Sequence, residues 1–367
     1  MNKAMVFFFS EVDWGYLRQR HHFFAENYAK RGHRVLYIGR IGLRYPKLQE
    51  VFAYFVTRVE NGPQNTCQLE GVELYGSTLL PPLNFLFNFI NKQVGLKRLA
   101  DSITTEEIII HFYQPTALIL DFIDICNERN IDVIVVYDCV QDYRHHPART
   151  IDLIEIEKRL LSKCKLVIAD SSVNFDRLSC SSDKILVPPG VDLDHFDLSK
   201  YKRKTLNKND KIKLLYYGNI RKDLDIKIIN SIGNSTNFDL TLVGLLNIDK
   251  SMLSSNVEVL KAVDYTCLPE LIKDYDALLL PYNINNPFVK AIIPAKFFEC
   301  LRTGLPILCT AMESIKDYHV YLNVVSIDTC FNSIKLDDLR CSYDDKIEIL
   351  LQNSTWSSRF DSFYTGI

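Results

Sequence analysis

The chain has no excess of basic residues, no closely paired cysteines and no apolar run that could cross a bilayer. Lys and Arg number 43 against 45 Asp and Glu, giving a net charge of −2, so nothing in the charge argues for a nucleic-acid partner. Ten cysteines are scattered without a CxxC pair or a Cys/His metal spacing. That pattern predicts free thiols in a reducing cytoplasm and no metal site. The first apolar run, Ala4 to Phe9, stops at Ser10 and Glu11; it reads as a buried strand, not a secretion signal. No other segment approaches the apolar length of a membrane span, and neither a solenoid-period repeat nor a low-complexity tract is present. What is there is a globular composition, 47% hydrophobic and 24% charged over 367 residues, which suits two α/β domains better than one core.

The first half alternates strand and helix. A strand at Met5 to Phe9, a helix from Tyr16 to Arg31, a stop at Gly32 and a strand at Val35 to Ile38 predict a parallel sheet with right-handed crossovers. The loop and first helical turn carry Asp13, Trp14, Arg18 and His22, with Arg18 and His22 spaced to share a face. Loops at the carboxyl ends of parallel strands are where such sheets bind ligands; the plainer reading is a solvated helix start with Trp14 tucked against the body. Gln68 to Gly76 reads as a strand pair. Leu83 to Leu99 is too apolar for a solvated helix and is flanked by Lys92, Lys97 and Arg98. It is either a buried helix or a face that docks on a membrane surface. The strand Val133 to Tyr137 runs into Asp138 and Asp142, with His145 and His146 close by. Carboxylates at the end of a central strand are general-base candidates, and equally caps or loop anchors. Pro188, Pro189 and Gly190 end the sheet, and the polar run to Asn209 reads as a linker.

The pattern then restarts. Lys213 to Tyr217 is a strand followed by Gly218, which lets a backbone approach a ligand, and by two cations, Arg221 and Lys222. The strand Ala277 to Leu280 leads into a helix opened by Pro294, with Lys296 and Glu299 at i and i+3 and a stop at Gly304. A helix start at the mouth of a parallel sheet is an anion site. There a lysine can neutralise phosphate and a carboxylate can accept sugar hydroxyls. The alternative is an ordinary surface Lys–Glu pair.

Four segments in order resemble the GT-B nucleotide-sugar glycosyltransferases of the bacterial group-1 type. They are Lys30 to Val35, Pro189 to Asp192 followed by Phe196, Tyr217 to Ile220, and the run Pro294, Lys296, Glu299, Leu301, Gly304, Pro306. The resemblance implies two Rossmann-like α/β domains, parallel sheets flanked by helices, facing each other across a cleft. Residues 1–200 would bind the acceptor and residues 201–342 the donor, with helices in 343–367 packing back towards the first domain. It implies transfer of a sugar, hexosyl-like, from a nucleotide-sugar to a saccharide or lipid-linked saccharide in cell-surface polysaccharide synthesis, in the cytoplasm or on the inner membrane face, with no cofactor and no essential metal. Glu299 would take the ribose hydroxyls, Arg221, Lys222 and Lys296 the diphosphate with Gly218 beneath it, and Val263 to Tyr265 the base. The sequence departs at Ala291, where many retaining members carry a further glutamate. An inverting transfer is then favoured, its base coming from the first domain: Asp138 foremost, then Asp13, with Asp142 and His22 behind. Trp14, Arg18 and Asp142 are the acceptor-side candidates. A sugar epimerase or phosphorylase of the same fold and an inactive scaffold are the alternatives.

Overall fold

The computed structural model describes residues 3–15, 18–39, 71–75, 79–80, 82, 85–146, 151–197, 201, 210–341 and 344–367. The chain divides into two compact units, Met1–Val187 with Phe360–Ile367, and Pro188–Arg359. The crossing at Val187 lies upstream of the polar run taken as a linker, much of which falls outside the described residues. Val191 pairs with Thr355 and Phe196 is buried in the second unit's core, so the Pro-Pro-Gly segment belongs with that unit.

In the first unit the strands are β1 (Met5–Phe9), β2 (Arg34–Ile38), β3 (Val72–Leu74), β4 (Glu107–Phe112), β5 (Asp132–Cys139), β6 (Leu166–Ala169) and β7 (Asp183–Leu186). They form one sheet in the order β3-β2-β1-β4-β5-β6-β7, every pairing parallel. All five residues of β1 are buried, because a parallel sheet covered on both faces needs a continuous apolar strand. The helices are α1 (Arg20–Lys30), α2 (Phe85–Ile90), α3 (Leu96–Asp101), α4 (Ala117–Glu128), α5 (Ile151–Leu161) and α6 (Ser172–Arg177).

Two predicted elements differ. The first helix begins at Arg20, not Tyr16, because Gln19 is extended (φ −159°, ψ −176°) and acts as its cap; residues 16–17 lie outside the described set. Of the strand pair expected at 68–76, β3 is the described part. The apolar run at 83–99 is split in character. A π-helical turn (Asn91–Gly95) joins α2 to α3, and Asn91 is pinned by hydrogen bonds to both backbone groups of Leu80 at 2.7 and 2.8 Å. In α3, Leu96, Leu99 and Ala100 face the core, whereas α2 has no buried residue, and Phe85 (85% exposed), Leu86 and Phe89 point outward.

The second unit has β8 (Ile212–Tyr217), α7 (Ile226–Gly233), β9 (Phe238–Val243), β10 (Glu258–Leu260), α8 (Leu268–Ile272), β11 (Ala277–Leu280), α9 (Phe297–Arg302), β12 (Ile307–Thr310), β13 (Asn323–Val325), α10 (Asp345–Gln352) and α11 (Trp356–Tyr364). Its parallel sheet runs β10-β9-β8-β11-β12-β13. In both units the order reverses beside the first strand, between β1 and β4 and between β8 and β11. Such switch points open a crevice at the carboxyl ends of the strands. The helix expected from Pro294 starts later, at Phe297, with Lys296 as its cap (φ −80°, ψ −4°). Gly304 closes it at φ +68°, as a left-handed stop should. Helix α11 changes unit part-way: Trp356 lies against Gly190 in the second, and Phe360 onward belongs with the first.

Candidate functional site

In the second unit the switch point is built on two glycines. Gly218, just past β8, has φ +127°, and Gly244, just past β9, has φ +159°. The backbone at Gly244 runs against the Gly218 carbonyl so closely that a Cβ would strike it. The loops then travel together: the Gly218 N–H donates to the Val243 carbonyl at 2.8 Å and the Ile220 N–H to Leu245 at 2.9 Å. Lys296 reaches back over this turn. Its ammonium donates to the Tyr217 carbonyl and sits 3.9 Å from the centre of the Tyr216 ring. Burial pushes that ammonium down to about 8, against the pull of Cys300 and Glu299.

Glu299, one turn along α9, is buried. Tyr217 donates to one of its carboxylate oxygens at 3.3 Å and Tyr265 to the other at 3.4 Å. Burial raises the carboxyl to about 7, with Lys296 and the two hydroxyls opposing. Tyr265 is in turn fixed by His195, whose ring stacks on it at 4.3 Å and whose Nε2 donates to the Tyr265 carbonyl at 2.8 Å. Asp192 accepts the His195 N–H at 3.0 Å. Gly218, Tyr265, Lys296 and Glu299 therefore meet, and Val263 packs on the same core from the loop before Tyr265. Arg221 is exposed, paired with Asp223 at 2.5 Å and close enough for its charge to act on Lys296, and Lys222 is exposed. His195, and the hydroxyl bonds of Tyr217 and Tyr265 to Glu299, were not singled out from the sequence. A histidine three residues beyond the Gly-Val-Asp run was the available signal for the first.

In the first unit Asp138 ends β5 fully buried. Arg20 grips both its oxygens, at 2.7 and 2.9 Å, and His111 lies 3.6 Å away. Burial would raise its carboxyl, but the guanidinium and His111 hold it below the usual range. A carboxylate in that clamp cannot take a proton without releasing Arg20, which alters the role expected of it. His22 is likewise committed: Nδ1 accepts from the Gln19 N–H at 3.2 Å, and Nε2 donates to the Trp14 carbonyl at 3.1 Å. Burial and His21 depress its basicity. It staples the loop to the helix, with Trp14 packed on its ring at 5.1 Å. Arg18 holds Glu26 by two bonds of 2.6 Å. Asp142 accepts from Arg144 and His145, and although burial acts the other way, Arg144, the nearby Arg177 and His145 bring it down to about 2. Asp13 is half-buried in the loop after β1. At this end of the sheet the titratable groups are largely structural ion pairs.

No family model matches the chain. Among solved structures, the sucrose-phosphate synthase of Thermosynechococcus elongatus superposes with a TM-score of 0.70 at 12% identity, covering 99% of this chain and 98% of that one. The chain has the GT-B fold. A trehalose-6-phosphate protein from E. coli bound to UDP-2-fluoro glucose shares this GT-B architecture, with a TM-score of 0.64 at 8% identity over 99% and 98% of the two chains. In sequence, the "Putative teichuronic acid biosynthesis glycosyltransferase TuaH" of Bacillus subtilis strain 168 is 25% identical over 213 residues. The match covers 49% of this chain and 51% of that protein, so the GT-B chain described here spans about half of its relative's length.

Proposed function

We propose that this protein transfers a glycosyl group from a nucleoside-diphosphate sugar to a saccharide acceptor. The observation that carries the reading is the convergence of Lys296, Glu299 and Tyr265 on the glycine turn at the carboxyl end of β8. Gly218 leaves room for a diphosphate against the backbone. Lys296 gives up its bond to the Tyr217 carbonyl to neutralise the charge that grows on the leaving group, and Arg221 and Lys222 extend that positive rim. Glu299 accepts the ribose hydroxyls, and the loop of Val263 and Tyr265 carries the base. An acceptor hydroxyl attacks the anomeric carbon as the bond to the diphosphate oxygen breaks. Ala291 is a buried alanine at the position of the first carboxylate of a retaining pair, and inversion is the expected outcome. The proton then passes to the loop after β1, where Asp13 is a better candidate than the clamped Asp138. The chemistry needs no essential metal or other cofactor.

Cell-surface polysaccharide is the product class suggested by the teichuronic acid relative, and a lipid-linked acceptor fits the outward-facing Phe85, Leu86 and Phe89 beside Lys97 and Arg98. Among the described residues no helix is long and apolar enough to cross a membrane, and peripheral docking at the cytoplasmic face is the mode proposed. Sedimentation with anionic vesicles tests that part: binding unchanged in a Phe85→Ser, Phe89→Ser variant removes it. The donor reading is tested by a thermal-shift screen of nucleotide-sugars. One donor should stabilise the wild type and fail to stabilise Glu299→Ala; equal stabilisation of both defeats the assignment.

A further inference from the structure

The run from Gly190 to Phe196 opens the second unit, and the proposed transfer leaves it without a task. It forms a turn anchored at both ends. The Val191 N–H donates to the Ser354 carbonyl at 2.9 Å and the Phe196 N–H to the Asp192 carbonyl at 3.1 Å, while the Asp192 carboxylate receives the His195 N–H at 3.0 Å. Phe196 is fully buried in the second unit's core. From this turn the His195 ring lies on Tyr265, 4.3 Å away and tilted by 19°, and its Nε2 donates to the Tyr265 carbonyl at 2.8 Å. Phe196 meets the same tyrosine edge-on at 5.9 Å. Tyr265 itself begins a single short helical turn, Tyr265–Cys267, capped by Asp264. Three residues of such a turn carry few bonds of their own, so His195 is what holds both the ring and the carbonyl of Tyr265 in place.

Tyr265 in turn holds Glu299. An ionised carboxylate has about four acceptor positions, and the hydroxyls of Tyr265 and Tyr217 take one on each oxygen. That leaves each oxygen an acceptor position and fixes the plane in which the two lie, an arrangement suited to the adjacent hydroxyls of a ribose. Lys296, Cys300, Asp192 and Tyr201 are the other ionisable groups whose charge acts on this carboxyl. Lys296 is committed to the Tyr217 carbonyl and Cys300 to the Tyr217 hydroxyl, so the aim of the carboxylate falls to the two tyrosines. From this geometry we infer that His195 is a positioning residue for the donor: by fixing Tyr265 it aims Glu299 at the 2′- and 3′-hydroxyls of the nucleotide, and so sets how well the site tells a ribonucleotide from its deoxy form. The inference rests on the nucleotide-sugar reading of this site.

The test uses the full chain and the variants His195→Ala, His195→Gln and Tyr265→Phe. Calorimetric titration with ADP, GDP, CDP and UDP picks the diphosphate that binds, and its 2′,3′-dideoxy form is titrated beside it. The wild type should prefer the ribonucleotide by about tenfold, the effect of roughly one hydrogen bond. His195→Ala and Tyr265→Phe should bring that preference below about threefold. His195→Gln, which keeps an N–H donor at a similar reach, should retain it. A merely structural loss weakens both nucleotides alike and leaves their ratio where it was. A ratio unchanged in either of the first two variants, or lost in His195→Gln, therefore overturns the positioning role. A wild type that binds both forms equally overturns it as well, because Glu299 then reads no hydroxyl. If no diphosphate binds the wild type, the nucleotide-sugar reading falls instead, and the titration of Glu299 without ligand decides the positioning. Followed by carbon-detected NMR and assigned by its loss in Glu299→Gln, that carboxyl should titrate at about 7 in the wild type. Disturbing a hydroxyl that favours the charged form should move the midpoint up in Tyr265→Phe and His195→Ala; a midpoint that stays put sinks the inference.

Discussion

Lys296 and Glu299 are both charged groups drawn away from water at the start of α9, and burial moves them in opposite senses, down to about 8 and up to about 7. For Glu299 the folded value lies above the ordinary 4.5, so its contribution to stability is fullest below that pH and is lost as pH rises through about 7. For Lys296 the unfolded chain holds its proton longer than the folded one, and a diphosphate beside the ammonium would pull the folded value back up. Donor binding at about pH 9 should therefore take up a proton, and affinity should fall as pH climbs past about 8. Titration calorimetry in two buffers of different ionisation enthalpy measures the uptake; none, with affinity flat across that range, removes Lys296 from the phosphate. Asp138 is a different case. Asp138→Asn leaves Arg20 buried without its counter-charge and should cost about 3–5 kcal/mol in urea unfolding. Wild-type stability together with abolished turnover would restore it as the base.

At the scale of elements, the two glycines of the donor turn should not be equally tolerant. An alanine Cβ at Gly218 would meet the end of the Lys296 side chain, which can swing aside, whereas at Gly244 it would meet the Gly218 carbonyl, which cannot. Gly244→Ala should therefore lower the unfolding midpoint by more than the about 1–3 kcal/mol that backbone strain alone costs. Gly218→Ala should stay near that figure and lose donor affinity instead, because its methyl fills the space the diphosphate needs. Equal effects on stability would mean the loop yields. Strands such as Met5–Phe9 and Ala277–Leu280 were legible in the sequence because each is a short, wholly buried apolar run, and a strand buried on both faces has no other way to read. The Lys296 and Glu299 spacing was legible too, though Pro294 suggested too early a start for α9. The partners were not legible. Arg20 lies 118 residues from Asp138 and His195 70 from Tyr265, and no local pattern records which distant side chain will fill a buried group's hydrogen bonds. For that reason an aspartate at a strand end looked like a free base.

The whole molecule carries two sheets wound in the same order, each with its own core, and that makes their stabilities separable in principle. Helix α11 supplies the handle. From Phe360 onward it packs on α1, with Phe360 fully buried and its ring 4.7 Å from Tyr28 and 5.7 Å from Phe24. Phe360→Ala opens a cavity in the first unit and should cost about 3–5 kcal/mol there. A nucleotide-sugar bound at Lys296 and Glu299 stabilises the second unit instead, by about 2.7 kcal/mol at a hundredfold excess over its Kd. Calorimetry of wild type and variant, with and without donor, should show the substitution lowering one transition and the ligand raising the other, with nucleotide affinity the same in both proteins. If the ligand and the substitution act on one shared transition, the units melt together. If the substitution also weakens nucleotide binding, the α1–α11 packing supports the donor site, and the assignment of that site to the second unit alone fails.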